Sequence, residues 1–283
     1  MKTVLVTGAS GALGRAVIAR LQGEACYRVY GASRQGADVS GFQLDVRDRN
    51  QLVSAINSVE ADLVLHLAAT FANDFDEAYS INVAATRHLL EAVEESARQT
   101  RILLVGSAAE YGVVRSEENP IREDRALAPV SIYGLTKAWQ TQLAGFYANR
   151  GMDIVVARIF NLDGPGLSEQ LFIGRLQKQI EEVLAGRKSA IELGPLSAIR
   201  DYISTQEAAD QLIAIATRAE AGKVYHVASG VPVTMRTILS RYLIRNGLQA
   251  SIVREDATLS NRSGYDVPAI YANIAATSQL MRK

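Results

Sequence analysis

The sequence is poor in the residues that build metal sites, disulfides and membrane spans. Among its 283 residues are one cysteine, Cys26, and three scattered histidines. An internal disulfide is therefore excluded, and no metal-ligand cluster is predicted. No run approaches the roughly 18 apolar residues that a membrane helix needs, and no cationic segment precedes an apolar signal stretch. We therefore expect a cytoplasmic protein with no membrane partner and no metal.

An excess of charge of one sign is also absent. Thirty Lys and Arg residues balance 30 Asp and Glu residues, so the formal net charge is zero. Neither a basic surface for nucleic acid nor an acidic tail is predicted, and the expected partner is a small molecule. With 48% hydrophobic residues, the length suits one large globular domain or two modest ones.

The chain begins with a pattern typical of a dinucleotide site. An apolar run over residues 2–7 stops at a glycine-rich turn, and residues 15–21 have helical spacing. The spacing of Gly8, Gly11 and Gly14 is Gly-x-x-Gly-x-x-Gly, which differs from the usual Gly-x-Gly-x-x-Gly fingerprint. These glycines allow close approach of a pyrophosphate, which the free amides of a helix N-terminus favour. A plain turn is the alternative interpretation.

The end of the second predicted strand, residues 28–32, bears on the choice of cofactor. Ser33 and Arg34 stand where an NAD enzyme more often carries an acid for the ribose 2′-hydroxyl. Arg34 with Ser33 can hold a 2′-phosphate, which favours NADP over NAD, although NAD stays possible. An ordinary solvated arginine is the alternative.

A third strand is predicted over residues 42–45. It brings Asp45 and Val46 to the place where the adenine end of a dinucleotide would lie. Asp45 could equally cap the helix predicted over residues 49–58.

A buried strand and the first of two long helices follow. The strand, residues 62–69, ends in small residues that let a cofactor lie against the backbone, and His66 within it is expected to be a core residue. Asn82, near the start of a helix over residues 78–97, is predicted to point at the active-site region; a surface asparagine is the alternative. This helix and another over residues 134–150 could pair with the same helices of a second chain, so a homodimer is expected.

The stretch that ends at Lys137 can assemble a proton-transfer device for carbonyl chemistry. Tyr133 and Lys137 lie four residues apart, on one face of a helix that Ser131 can cap. A free tyrosine has a pKa of about 10, and a neighbouring ammonium stabilises the phenolate, so we expect Lys137 to lower the pKa of Tyr133. Ser107 follows an apolar run over residues 101–106, which places it at the carboxyl edge of a strand. Open α/β sheets bind ligands at that edge.

After residue 166 the alternation of strands and helices becomes less regular. We predict strands over residues 153–160, 190–193 and 223–227 and helices over residues 169–185, 206–217 and 234–246. The predicted fold class is α/β, a doubly wound parallel (Rossmann) sheet with a smaller C-terminal lobe over the cleft. Residues 1–165 with 203–229 form the Rossmann domain in this prediction, and residues 166–202 with 230–283 form the smaller lobe.

Together these features resemble the extended short-chain dehydrogenase/reductase (NAD-dependent epimerase/dehydratase) family over nearly the whole chain. The matching motifs are the glycine turn, Asp45, residues 66–69, and the triad of Ser107, Tyr133 and Lys137. The resemblance implies cofactor contacts from Gly8, Ser10, Gly11, Ala12, Leu13, Gly14, Ser33, Arg34, Asp45, Val46, Leu67, Ala68, Ala69, Asn82, Tyr133, Lys137 and Phe160. It implies substrate contacts from Ser107, Ala108, Ala109, Asn161, Arg200 and Arg262. Of these, Asn161 and Arg200 match positions that hold the diphosphate of a nucleotide sugar, and Arg262 is offset by one residue from a second such arginine.

Within the family, residues 106–112, 158–166 and 223–230 look most like GDP-6-deoxy-4-keto-mannose reductases. The implied reaction is hydride transfer from NADPH to the C4 ketone of a nucleotide-linked 4-keto-6-deoxyhexose, as in GDP-rhamnose formation. Tyr133 would donate the proton, and Lys137 would lower its pKa and bind the nicotinamide ribose. The smaller lobe would then bind the nucleotide sugar.

Missing residues disfavour other reactions of the family. Dehydratases carry an acidic or Ser-Glu pair directly after the position of Ser107, where Ala108 and Ala109 stand here. Epimerase-reductases need a cysteine and a histidine near the sugar, and Cys26 is predicted on the wrong side of the sheet. An NAD-dependent nucleotide-sugar 4-epimerase needs only the serine, tyrosine and lysine, so it stays the alternative. A non-catalytic dinucleotide-binding sensor is a further alternative from another class.

Overall fold

The computed structural model describes residues 1–36, 41–96, 98–259 and 267–282, and a parallel sheet lies at its centre. The strands are β1 (Lys2–Thr7), β2 (Tyr27–Ser33), β3 (Phe42–Gln43), β4 (Leu63–His66), β5 (Arg101–Ser107), β6 (Ile154–Ile159), β7 (Asn161–Asp163), β8 (Ile191–Leu193), β9 (Ile199–Ser204), β10 (Val224–Val227), β11 (Pro232–Thr234), β12 (Val253–Glu255) and β13 (Ala269–Ile270). The α-helices are α1 (Ala12–Gln22), α2 (Arg49–Val59), α3 (Phe75–Tyr79), α4 (Ala85–Glu95), α5 (Ile132–Ala148), α6 (Phe172–Leu184), α7 (Thr205–Arg218), α8 (Met235–Arg245) and α9 (Ala275–Met281).

Seven strands form the central sheet in the order β10-β6-β5-β4-β1-β2-β3, and all neighbouring pairs are parallel. The strand order reverses between β1 and β4, which is the topological switch point of a doubly wound sheet. The predicted fold class is therefore confirmed. Ligands of such sheets bind outside the carboxyl ends of the strands at this point, where the glycine turn follows β1.

The sheet is buried on both faces, which explains why its strands appear in the sequence as continuous apolar runs. Val4 and Val6 of β1 pack into a core under α1, α7 and α9. Leu5 between them packs into a second core under α2, α4 and α5. Successive side chains of a strand point to opposite faces, so one short run supplies both cores.

A smaller lobe is built from residues of the second half of the chain. β11, β9 and β13 form a sheet that β7 joins through β9, and β12 pairs with β8. Helices α6 and α8 pack with these strands around a separate core that includes Leu176, Ile191 and Leu239. The division into residues 1–165 with 203–229 and residues 166–202 with 230–283 stays a prediction.

Local capping explains where two of the helices begin. Ser131 caps α5 by accepting a hydrogen bond from the amide of Gly134 at 3.0 Å, as predicted. Helix α2 is capped by Asp48, which accepts from the amides of its first turn. The alternative in which Asp45 caps this helix is therefore wrong.

The long helix predicted over residues 78–97 is interrupted. It consists of α3, a π-helical turn over Ser80–Ala84 and α4, and α4 ends at Glu95. Ala97 lies outside the described residues. Hydrophobic spacing did not reveal the π turn, which is a rare element that often accompanies functional sites.

One buried carboxylate joins the two lobes. Asp201, in β9 of the smaller lobe, is fully buried. It accepts hydrogen bonds from the backbone amides of Ser229 at 2.8 Å and Gly230 at 2.9 Å, just after β10 of the central sheet. The amide of Ala272, after β13, donates to the same carboxylate at 3.2 Å. This one carboxylate therefore links β9 to two other segments of the chain.

A buried ion pair lies behind the carboxyl end of β5. Arg158 of β6 donates from Nε to Glu110 at 2.8 Å, and the two side chains are 4% and 0% exposed. Arg158 also donates from Nη1 to the Tyr111 hydroxyl at 2.9 Å, and that hydroxyl lies 2.5 Å from Nε2 of His226. Breaking such a pair leaves an uncompensated charge inside the protein.

None of the helices in the described ranges combines the length and the apolarity that crossing a bilayer requires.

We expect Glu110→Gln to lower the free energy of unfolding by about 3–5 kcal/mol, because Arg158 stays charged and buried without its carboxylate. Urea unfolding at neutral pH, followed by circular dichroism, measures the change. The matched control is Glu117→Gln: the Glu117 side chain is 70% exposed and lies 3.6 Å from Arg115, so the control should unfold like the parent protein. Equal stability of the two variants would contradict the importance of the buried pair.

Candidate active site

The glycine turn after β1 lies directly against the end of β4. Gly8 has a φ of +71°, and a Cβ on it would lie 2.7 Å from the backbone nitrogen of Ala68. Only glycine suits both requirements. The predicted cofactor residues of the turn lie together at the switch point with those that follow β4: Gly8, Ser10, Gly11, Ala12, Leu13, Gly14, Leu67, Ala68 and Ala69. The geometry fits a pyrophosphate at the N-terminus of α1.

Ser107 and Tyr133 meet at the same edge of the sheet. Ser107 ends β5, and its side chain lies close enough to Tyr133, at the start of α5, to act on the pKa of the tyrosine. The Tyr133 ring is half-buried and packs against Phe71, with 4.7 Å between the ring centroids. Helix α5 can come this close because Gly134 has no side chain: a Cβ there would lie 2.5 Å from the carbonyl oxygen of Ala109.

Lys137 lies one turn further along α5, but its ammonium points to a different partner from the predicted one. It is 1% exposed and donates to Oε1 of Gln140. Burial lowers the pKa of Lys137 to about 8, while the charge of Glu110 acts in the opposite direction. Burial raises the pKa of Tyr133 to about 12, although the hydrogen bond from Ser107 lowers it. The predicted lowering of the Tyr133 pKa by Lys137 is therefore not observed in this structure.

His66 is a core residue, as predicted. It is 1% exposed, and its Nδ1 lies 2.8 Å from the hydroxyl of Thr7. Burial and the nearby charge of Lys137 lower the pKa of His66 to about 3, so its ring is neutral at physiological pH. Its Nε2 has no hydrogen-bond partner within the described ranges.

Asn82 lies in the π turn, and its burial excludes one of the two interpretations of the sequence. It is fully buried, so a surface asparagine is excluded. Its Oδ1 accepts from the amide of Thr70 at 3.0 Å, and its Nδ2 donates to the Thr70 carbonyl and to the Thr136 hydroxyl at 3.1 and 3.0 Å. Both amide hydrogens are therefore used inside the protein. The side chain fixes the loop after β4 against α5, and its predicted cofactor contact stays a prediction.

The residues predicted for the adenine end lie at the carboxyl ends of β2 and β3. Ser33 is buried and its hydroxyl donates to the Gly36 carbonyl, whereas Arg34 is exposed. Asp45 accepts from Nε of Arg47 at 3.0 Å, and this hydrogen bond, with a smaller contribution from the charge of Arg34, lowers the pKa of Asp45. The sequence did not predict this ion pair. The neighbouring Val46 packs its side chain into the core.

The residues predicted to hold the substrate diphosphate lie in the smaller sheet. Asn161 starts β7 and donates from Nδ2 to the carbonyl of Asp201 at 3.0 Å. Arg200 of β9 is 4% exposed and donates from Nη1 to the carbonyl of Val267 at 2.7 Å. The structure thus brings Asn161 and the β9 strand together, while Arg262 lies outside the described residues.

Sequence reasoning missed the polar groups that support Ser107. Glu110 accepts from the Ser107 amide at 2.7 Å and from the Thr141 hydroxyl at 2.8 Å, besides its ion pair with Arg158. A signal was available, because an arginine in the otherwise apolar β6 strand requires a buried partner. Ala108 and Ala109 form a short 3₁₀ turn with Glu110. Phe160, predicted to contact the cofactor, packs its ring into a core with Tyr111 and His226.

Within the described ranges, no group of three or more His, Cys, Asp or Glu residues is placed to hold a metal ion. Cys26 precedes β2 at the opposite, amino-terminal edge of the sheet, where its carbonyl accepts from the Lys2 amide at 2.7 Å. The only cysteine in the sequence is therefore remote from the serine–tyrosine pair.

Comparisons with known proteins agree with this geometry. The chain is 27% identical over 263 residues to dTDP-6-deoxy-L-talose 4-dehydrogenase (NAD(P)(+)) from Kitasatospora kifunensis, covering 90% of this chain and 82% of that protein. It is 26% identical over 224 residues to GDP-6-deoxy-D-mannose reductase from Pseudomonas aeruginosa, covering 77% of this chain and 74% of that protein. The solved structure of RMD from Pseudomonas aeruginosa with NADPH shares the fold with a TM-score of 0.85 at 22% identity, covering 100% of this chain and 93% of that one. A model of the NAD dependent epimerase/dehydratase family matches residues 4–228, and this chain belongs to that family.

Proposed function

We propose that the protein reduces the 4-keto group of a nucleotide-linked 4-keto-6-deoxyhexose with NADPH, in deoxysugar synthesis of the GDP-rhamnose type. The observation that carries this proposal is the placement of the Ser107 and Tyr133 side chains beside each other at the carboxyl edge of the sheet, close enough for Ser107 to act on the pKa of Tyr133. Two hydroxyls placed in this way can both turn toward one substrate oxygen. The names of two relatives support the class of substrate: one acts at position 4 of a dTDP-linked 6-deoxyhexose, and the other on a GDP-linked one.

The glycine turn and the residues after β4 would hold the dinucleotide, which supplies a hydride when bound. Tyr133, with its pKa raised to about 12, carries a proton at neutral pH and would donate it to the developing alkoxide. Ser107 would donate a hydrogen bond to the same oxygen. Lys137, with a pKa of about 8, is still largely charged at neutral pH and would stabilise the phenolate left on Tyr133.

The surroundings of Ser107 favour reduction over dehydration. Ala108 and Ala109 supply no acid or base. Glu110, the next residue, has both carboxylate oxygens bound: Oε1 by the Ser107 amide and Oε2 by Thr141 and Arg158. Removal of water from a sugar needs a free acid or base beside the tyrosine, and this carboxylate is already committed to the protein interior.

The choice of NADPH rests on Arg34. It is exposed at the end of β2 and lies close enough to Asp45 for its charge to help lower the pKa of that carboxyl. The ribose 2′-phosphate of NADP would find this cation at the adenine end, whereas an NAD site more often has an acid there.

We further propose that the protein is a homodimer that pairs through α3, α4 and α5. Three aromatic side chains on these helices are exposed: Phe75 by 44%, Tyr79 by 43% and Phe146 by 57%. Trp139 makes edge contacts with the rings of Phe75 and Tyr79, with 6.0 and 6.1 Å between centroids. A contiguous aromatic surface of this kind is typical of a face that a partner covers.

We expect Tyr133→Phe to lower turnover by about 10²- to 10⁴-fold, because the proton donor is lost. NADPH consumption with GDP-linked and dTDP-linked 4-keto-6-deoxyhexoses measures turnover, and calorimetry measures NADPH affinity, which should stay within a few-fold of the parent value. Tyr147→Phe, on the same helix, is the matched control and should retain activity.

The same experiment separates the alternatives. Parent protein that carries bound NAD through purification and interconverts C4 epimers without consuming NADPH would contradict the reductase and favour a 4-epimerase. Parent protein that binds NADPH and turns over neither sugar would favour a sensor.

We expect Arg34→Asp to shift the ratio of kcat/KM for NADPH and NADH toward NADH by about 10- to 100-fold, since a hydrogen bond to a charged group contributes about 1.5–3 kcal/mol. Arg28→Asp, at the exposed start of the same strand, is the control and should leave the ratio unchanged. Equal use of both cofactors by the parent protein would contradict the role given to Arg34.

We expect Phe146→Asp to weaken self-association at least tenfold, because burying a phenylalanine contributes about 1.5–3 kcal/mol and 1.4 kcal/mol is tenfold in affinity. Sedimentation equilibrium measures the dissociation constant. Ile244→Asp, which changes a 79% exposed residue of α8, should leave it unchanged. A monomeric parent protein would contradict the proposed pairing.

A further inference from the structure

Behind the catalytic tyrosine, a line of buried polar side chains connects α5 to the π turn. It starts at Lys137, which is 1% exposed and donates to Oε1 of Gln140. Gln140 is also 1% exposed and donates from Nε2 to the Thr86 hydroxyl at 3.0 Å. Thr86, fully buried in α4, donates in turn to the carbonyl of Asn82 at 3.0 Å. The roles given to the glycine turn and to the serine–tyrosine pair do not explain why Gln140 is buried and hydrogen-bonded here.

The direction of these hydrogen bonds fixes the orientation of the Gln140 amide. The hydrogen of the Thr86 hydroxyl is used on the Asn82 carbonyl, so Thr86 can only accept from Gln140. The NH₂ group of Gln140 must therefore face Thr86, and its carbonyl oxygen must face Lys137. A flipped amide would place two donors against an ammonium, which has no acceptor of its own.

The π turn that supplies the last acceptor is itself held in place. The side chain of Asn82 is bound to Thr70 and to Thr136 of α5. The line of side chains thus begins and ends on α5, and each member is buried and bonded. A network in which every group is satisfied holds its members in one arrangement.

We propose that Gln140 is the positioning residue for Lys137: its amide oxygen, oriented by Thr86 and the π turn, fixes the ammonium behind Tyr133 and sets the pH range in which it stays charged. This inference rests on the proposed function, in which the Lys137 charge stabilises the tyrosine phenolate. In the described structure Gln140 makes its hydrogen bonds to Lys137 and Thr86 and none to Tyr133 or Ser107, so its effect passes through Lys137.

An amide is suited to this position because it is a neutral acceptor. Without an acceptor, a buried ammonium loses its proton more readily, and a carboxylate in the same place would hold the proton more firmly. The other groups whose charge is linked to that of Lys137 are His66 and Glu110. His66 of β4 is neutral above a pKa of about 3, and Glu110 is paired with Arg158. A titration near pH 8 therefore belongs to Lys137.

Two substitutions of Gln140 should move this titration in opposite directions. Gln140→Leu removes the acceptor, so we expect the alkaline limb of the kcat/KM profile to move to lower pH by about one unit, whereas Gln140→Glu should move it to higher pH by about one unit or more. We expect kcat to fall in the Leu variant with little change in KM for NADPH. Gln142→Leu, an exposed glutamine on the same helix, is the matched control and should leave the profile unchanged.

The titration of Lys137 can also be measured without any substrate. Lysine side-chain resonances, with the Lys137 signal assigned by its loss in Lys137→Met, give the titration midpoint directly in the parent and in both Gln140 variants. Opposite shifts of this midpoint support the proposal, including when the parent protein does not reduce a nucleotide sugar, a result that contradicts only the proposed reaction. Identical midpoints in the parent and the Leu and Glu variants would overturn it, as would a loss of activity in both variants with an unmoved pH profile.

Discussion

The carboxylate of Glu110 is the contact on which the geometry of the site depends. It lies in the interior, where a charge must be paired, and its partners come from three elements: the Ser107 amide at the end of β5, Arg158 of β6 and Thr141 of α5. These hydrogen bonds fix the position of the Ser107 backbone. Gly134 then admits α5 close to the turn after β5, which places Tyr133 beside Ser107.

The features that could be predicted from the sequence are those encoded by short-range patterns. The strands of the central sheet are apolar runs because both of their faces are buried, and the glycine turn, Ser131 and the spacing of Tyr133 and Lys137 are local. The smaller sheet could not be predicted as well. Strand β7 has three residues, β9 has six and β13 has two. They pair with strands far away in the chain, so the hydrophobic periodicity of the sequence does not reveal them.

The site residues show the same difference. Ser107 and Tyr133 were predicted and do meet. Three other features depend on neighbours that only the fold supplies: the direction of the Lys137 ammonium, the burial of Asn82 and the pairing of Asp45 with Arg47. Asp48, rather than Asp45, caps α2 because it directly precedes the helix, which begins at Arg49 as predicted. A carboxylate in a sequence does not reveal which of several nearby amides it will meet.

The burial of Lys137 has a cost in stability at neutral pH. Lys137 loses its proton near pH 8 in the folded protein, below the 10.5 of the free side chain. Between these values the unfolded chain binds a proton that the folded one does not, so this group favours folding more as the pH rises through that window. At neutral pH its charge is carried in the interior at a penalty.

The hydrogen bonds of Asp201 restrict how the two lobes can move relative to each other. Its side chain ties β9 to the turn after β10 and to Ala272, and its carbonyl accepts from Asn161, so three of the places where the polypeptide passes from one lobe to the other are anchored at one residue. A lobe fastened in this way is not a swinging lid, because no single hinge could open without breaking several buried hydrogen bonds. The small sheet and the central sheet are therefore held in one relative position by the contacts of a single residue.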